Sequence, residues 1–291
     1  MTVRLAKARQ FLARNARTLE RLRFSFLFDD GERAPYEHAL RAYQNRDGGF
    51  GHGLEPDLRT PLSQPVPTWS ALWMMDEIGR LGRRQVGPIL RYLEEVERPG
   101  GGVPFVLRSA RAFPHAPWWE AGRGKPRASI NPTAGIAAAL LKHRVTAPWL
   151  DRATTFSWRW IDRLTEVNPY ELRVILSFLD HVPDRARARA SLERLRPLIL
   201  GGDTVELDVA STRDTFRPLD YAPEPGRLSR ELFTSEEIER QLDGLERAQG
   251  DDGGWNVSFP IWTPITRFEW RGVQTVEMMK VLKSNGRLGS G

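Results

Sequence analysis

Four side chains that exchange protons or hold charge fall within the stretch HGLEPDLR: His52, Glu55, Asp57 and Arg59. Two carboxyls spaced two residues apart suit acid–base chemistry when a desolvated site keeps one of them protonated. Asp57 and Glu55 are therefore the first catalytic candidates, and Asp214, in a later acidic cluster with Asp208, is a third of the same kind. His52 and Arg59 flank the pair as substrate-binding candidates. His52, Glu55 and Asp57 are also metal-ligand types, but their spacing fits no zinc pattern, Pro56 stiffens it, and no HExxH occurs, so no metal is assigned. There is no GxSxG, no Walker A loop and no dinucleotide fingerprint. The chain has no cysteine, which excludes disulfides, thiolate zinc sites and cysteine nucleophiles.

Further candidates cluster in three other segments. Residues 103–130 hold Trp118 and Trp119, which can stack on a ligand, followed by Arg123, Lys125 and Arg127, cations suited to an anionic head group. Residues 255–270 hold Trp262, Glu269 and Trp270. Residues 203–218 hold Asp208 and Asp214. His143 and His181 stand at expected helix ends and read as caps. Trp69, Trp73, Trp158 and Trp160 stand at helical positions and read as core.

The elements that must position these segments come from a repeat. The stretch LRAYQNRDGGF from Leu40 returns, without a gap, as LERAQGDDGGW from Leu245. Leucine, glutamine, aspartate, the glycine pair and an aromatic all match. Glycine pairs begin at 48, 101, 201 and 253, which fits a period of about fifty residues if one copy has lost its glycines. Fifty residues hold two helices and a turn. The repeats run near 40–90, 93–145, 145–200, 200–245 and 245–285. Apolar periodicity predicts one helix over 4–23, and others over 34–44, 68–79, 85–97, 132–143, 148–164, 169–179, 185–198, 235–249 and 271–283. Asn131-Pro132 and Asn168-Pro169 look like N-cap and N1 pairs, and another start lies at Ser235. One short strand candidate, DTVELDV, begins at Asp203. The class expected is all-α. In a repeat array, equivalent loops emerge on one face, so the four segments named above are expected at one rim.

The stretches YQNRDGGFG and AQGDDGGW resemble the QW motif of the terpenoid cyclase and protein prenyltransferase superfamily, and DGGFGHGLEPDLRTP is similar to the first repeat of squalene–hopene-type cyclases. The resemblance covers about 45–80 and 245–285 and implies a closed α/α toroid spanning 1–291 as one domain. It also implies that Gln44, Phe50, Gln249 and Trp255 join repeats and are not the chemistry. The DxDD of class II cyclases is absent, and without cysteine the prenyltransferase zinc site cannot form. The leading expectation is an isoprenoid-type ligand in the toroid centre, with Asp57 or Glu55 as acid or base and rim arginines on any anionic group. No cofactor is expected, apart from Mg2+ if the substrate is a diphosphate. A carbohydrate-active enzyme, with Asp57 and Asp214 flanking a glycosidic bond, and a non-catalytic lipid- or protein-binding toroid are the alternatives.

Composition bounds these readings. The chain has 291 residues, 40% hydrophobic and 27% charged, with a net charge of +6. Basic residues are spread along the whole chain, so no nucleic-acid partner is expected. No apolar run is long enough to cross a bilayer and no leader h-region is visible, so a cytoplasmic location is expected. The basic, amphipathic first helix offers a peripheral membrane contact.

Overall fold

The computed structural model describes residues 5–209 and 216–288. Among them the chain is all-α: α1 (Leu5–Asn15), α2 (Thr18–Phe28), α3 (Arg33–Arg41), α4 (Pro65–Glu77), α5 (Arg83–Val96), α6 (Ile130–Lys142), α7 (Pro148–Asp162), α8 (Pro169–His181), α9 (Arg185–Leu200), α10 (Pro218–Tyr221), α11 (Ser235–Arg247) and α12 (Pro264–Ser284). No strand occurs among the described residues, so 203–209, expected as a strand, is irregular; the remainder of that loop, with Asp214, lies outside them. No described helix is long and apolar enough to cross a membrane. The fold divides into two compact units, Leu40–Leu198 and the pair of segments Met1–Ala39 with Ile199–Gly291.

In the first unit, α6 packs on α4, α7 and α8, and α5 meets α7. The uncharged run INPTAGIAAALL, which makes up all of α6 but its last residue, explains this placement: Ile130 and every residue from Pro132 to Leu140 are buried. A helix apolar on all sides must be surrounded. Small residues let its neighbours close in, and Gly135 is where the Trp69 indole of α4 seats; a Cβ there would lie 2.5 Å from Nε1. Asp76 at the end of α4 binds Lys142 Nζ at 2.7 Å and His143 Nε2 at 2.5 Å. Burial alone would raise the Asp76 carboxyl, but these two partners outweigh it and hold it below the usual carboxylate range. His181 binds its own helix at the Ser177 carbonyl, 2.8 Å away, as an end residue should.

In the second unit, α12 packs on α1, α2 and α11, and α10 on α11. Arg23 of α2 is buried and binds Glu277 of α12 at 2.5 Å, while Lys280 holds the same carboxylate at 3.2 Å. The helix expected over 4–23 is broken in two, at residues 16–17. α12 begins at Pro264 rather than 271, because Thr263 caps it: its hydroxyl receives the Thr266 amide and Thr266 returns the bond to the Thr263 amide. Asn168 is an N-cap as expected, receiving the Glu171 amide at 2.9 Å. The 235 start is capped one residue earlier, by Thr234 with Glu237. At Asn131 the backbone is extended, as an N-cap's is, and Pro132 follows it, but the side-chain carbonyl receives no amide.

Three copies of the glycine turn are the same object. At residues 45–49, 98–102 and 250–254 the first residue's amide reaches the last residue's carbonyl, at 2.9, 2.8 and 2.9 Å. The fourth glycine pair, Gly201-Gly202, is exposed and lacks the positive φ found in the other three turns, so it is not a copy. Gln44 and Gln249 each donate to the carbonyl of the first glycine, at 3.1 and 3.0 Å. Asp47 and Asp252 each receive the amide of the second glycine, at 2.9 and 3.1 Å. Trp255 donates its indole N–H to the Leu245 carbonyl at 2.9 Å.

Each turn then sits on a helix. A Cβ at Gly48 would stand 2.1 Å from the Pro88 carbonyl oxygen of α5, and one at Gly253 would stand 2.2 Å from the Lys7 carbonyl oxygen of α1. Gly101 meets Arg152 of α7 in the same way. One residue on, the second glycine faces an aromatic four positions further along that helix: Tyr92, Phe156 or Phe11.

A threonine completes each junction. The amides of Phe50, Val103 and Trp255 donate to Thr68, Thr133 and Thr275, at 3.0, 2.9 and 3.1 Å. Replacing Thr68 with the isosteric valine strands the buried Phe50 amide, and we expect a loss of about 1–3 kcal/mol of unfolding free energy. Urea denaturation of Thr68→Val beside Thr68→Ser measures it; a loss in Thr68→Ser with none in Thr68→Val would mean that the methyl group, not the hydroxyl, matters.

Candidate functional site

The first unit places two long connections, 50–64 before α4 and 103–129 before α6, against each other. Their contact is a short stretch of backbone pairing. The Ala116 amide donates to the Asp57 carbonyl at 2.9 Å and the Arg59 amide to the Pro114 carbonyl at 3.0 Å, with Leu58 opposite His115. Gln64, buried at the foot of α4, clamps the other end. Its amide nitrogen donates to Ser109 Oγ at 2.9 Å and its carbonyl receives the Leu107 amide at 2.8 Å.

The base of the first loop is tied to the glycine turn. Asn45 donates to the Pro61 carbonyl and to Ser63 Oγ, at 2.9 and 3.0 Å, and Ser63 donates to Asp47 at 2.7 Å. His52 binds the same Asn45 through Oδ1 at 3.0 Å, from a left-handed backbone with φ of 55°. His52 is exposed and fixed to the turn. Glu55 and Asp57 are both buried, Asp57 to 1% exposure. A carboxyl excluded from water on a stitched loop is the kind of group that acid–base chemistry uses. Arg59 is half-buried beside them in sequence.

The second loop carries a polar cluster. His115 Nδ1 donates to the Phe113 carbonyl at 2.7 Å and Nε2 meets Glu120 at 3.0 Å, while Arg111 holds the other Glu120 oxygen at 3.1 Å. The Glu120 bond and then the Phe113 bond raise the His115 pKa above its ordinary 6.5. A raised folded pKa gives stability that is complete below the unfolded value and is lost as pH rises through the folded one. The pairing of the two loops should therefore loosen on going from mildly acidic to alkaline pH. An NMR titration should put His115 above 6.5, and Glu120→Gln should bring it down; an unmoved titration in that variant would remove Glu120 as the cause.

Trp119 is buried, at 4% exposure, and stacks on Phe105 with parallel rings 4.6 Å apart. Its indole N–H, that of Trp69 and the Asn131 side-chain carbonyl are buried without a hydrogen-bond partner among the described residues. Such groups are rare in folded proteins. Trp69 lies in the first turns of α4, Asn131 in the first turn of α6, and Trp119 in the connection that precedes α6. Trp118 is on the surface, at 46% exposure. Arg123 and Arg127 are exposed on the segment leading into α6.

The remaining expected residues belong to the other unit. Trp262 is half-buried in the connection before α12. Glu269 and Trp270, expected in a loop, lie on α12 itself because the Thr263 cap starts that helix early. The Trp270 ring stands edge-on to Phe259, 5.0 Å away. So the structure brings together His52, Glu55, Asp57, Arg59, Trp118 and Trp119 on the paired loops. Among the described residues, no group of three or more His, Asp or Glu is placed to hold a metal ion.

Comparison with known proteins fixes the fold. No protein-family model matches the chain, and no curated protein matches it. A crystal structure of a protein from Actinoplanes matches 97% of this chain and 98% of its own, with a TM-score of 0.63 at 16% sequence identity. The two chains share an all-α fold.

Proposed function

We propose that the chain is an α/α toroid of the terpenoid cyclase and prenyltransferase kind, binding a hydrophobic, isoprenoid-type molecule, with Asp57 as its acid and base. The observation that carries this is the burial of Asp57 on a loop stitched to the aromatic loop of Phe105 and Trp119. The toroid reading is supported by the glycine turns, since the one at 250–254 seats on α1 as the earlier two seat on α5 and α7.

In this reading the Asp57 carboxyl gives its proton to an alkene carbon. The resulting cation is stabilised by the faces of neighbouring aromatic rings. A proton from the adjacent carbon returns to the carboxylate, so the product is an isomer of the substrate. Glu55 is the second carboxyl of the pair, and Arg59, Arg123 and Arg127 hold an anionic head group. Mg2+ takes part only if that group is a diphosphate.

Native mass spectrometry of gently purified protein, with and without farnesyl and geranylgeranyl diphosphate, tests the reading. A retained lipid-like mass or a one-to-one diphosphate complex supports it. Absence of both removes it.

The exposed Trp118 favours a second reading, in which that ring is a platform for a sugar. Asp57 would then be one of the carboxylates that flank the glycosidic bond. Binding of oligosaccharides, lost in Trp118→Ala, would select this reading over the first.

A further inference from the structure

Several large apolar side chains stand in water. Leu62 and Trp118 of the first unit are 47% and 46% exposed, and both lie on the connections that precede α4 and α6. Tyr170, also exposed, lies in the first turn of α8. In the second unit Leu200 at the end of α9, Leu207 before α10, and Ile265 and Phe268 in the first turns of α12 are exposed. Burial of apolar surface is the main favourable term in folding, so the exposure of Leu62 and Trp118 on two loops paired to each other is unexplained by the fold.

Charge is added at the same place. Residues 103–129 contain five cations, Arg108, Arg111, Arg123, Lys125 and Arg127, and one carboxylate, Glu120. All five cations are exposed. Glu120 is already engaged by His115 and Arg111. Exposed cations beside an exposed tryptophan are the composition that binds an anionic lipid surface: the cations meet head groups while the indole enters the interface.

We propose that the 103–129 loop, with Trp118 at its surface and Leu62 on the loop paired to it, docks the protein on anionic phospholipid. Charge complementarity chooses this occupant, and the apolar side chains favour it over nucleic acid. A nucleic-acid duplex would take the cations but leave Trp118 and Leu62 in water. Arg123 and Arg127 are also the cations assigned above to a substrate head group, but vesicle binding is read without substrate, so its failure is distinguishable from failure of that reading.

Sedimentation of the full chain with vesicles tests it. The protein should pellet with phosphatidylglycerol–phosphatidylcholine vesicles and stay in solution with phosphatidylcholine alone. Arg123→Glu with Lys125→Glu and Arg127→Glu should lower the binding by at least about tenfold. Trp118→Ser should lower it several-fold while leaving the salt dependence unchanged. An equal charge reversal elsewhere, at Arg14, Arg84 and Arg247, should have a much smaller effect. Circular dichroism of each variant shows whether it is folded. No binding to anionic vesicles, equal loss from the two charge-reversed sets, or tighter binding to a DNA duplex than to vesicles would each overturn the proposal.

Discussion

Gly48→Ala should lower the unfolding free energy by about 3 kcal/mol or more, the largest effect expected from adding a single methyl group to this chain. Two costs combine. The residue has φ of 96°, where a Cβ costs about 1–3 kcal/mol. The same Cβ would stand 2.1 Å from the Pro88 carbonyl oxygen, and backbone must move to admit it, at about 1–3 kcal/mol. Gly79→Ala separates the two. It has φ of 67° and nothing within 4 Å of an added Cβ, so it should show the conformational cost alone. Urea denaturation of both variants gives the difference. Equal losses would mean that the turn is not seated on α5 as described.

The second large effect is functional. Asp57→Asn should cut turnover of an isoprenoid-type substrate by about a hundredfold or more, the usual contribution of a positioned acid or base. Its fold should survive, because the backbone bond from Ala116 to the Asp57 carbonyl does not depend on the side chain. Binding of the substrate should persist, since a neutral amide of the same shape still fills the site. Glu55→Gln provides the comparison: if it alone abolishes turnover, the acid is Glu55. Full activity in both variants would end the role of this loop in catalysis.

What could be read from the sequence was what depends on residue type. The Asp-Gly-Gly of the 45–49 and 250–254 turns is legible because the aspartate caps an amide and the first glycine takes a backbone that other residues avoid. Gly201-Gly202, which has no aspartate acting in this way, is the pair that misled. The threonine of each junction was not legible. Thr68, Thr133 and Thr275 stand 18, 30 and 20 positions beyond their partners, so no fixed offset marks them. The pairing of 57–59 with 114–116 was hidden for a deeper reason, since it is made by backbone groups that every residue carries. The break between α1 and α2 was hidden because NARTL contains neither glycine nor proline. The Thr263 cap was available in the sequence, as Thr-Pro with Thr266 three positions on, and would have placed Glu269 and Trp270 on a helix.

The seating of the 250–254 turn on α1 has a consequence for how the chain is made. Leu40–Leu198 is a single continuous stretch and can fold as soon as it leaves the ribosome. The helices before it cannot finish: Phe11 packs on Gly254, and Arg23 needs Glu277. α1 and α2 are thus secured only after α12 has emerged, and their apolar faces wait until then. We expect α1 to be cut readily by protease in ribosome-bound chains stalled after α9 and to be protected once α12 has been released. Early protection would show that α1 finds another partner first. A chaperone acting on this protein would therefore have its longest task at the N-terminal end, where the chain has waited longest for its own C-terminal half.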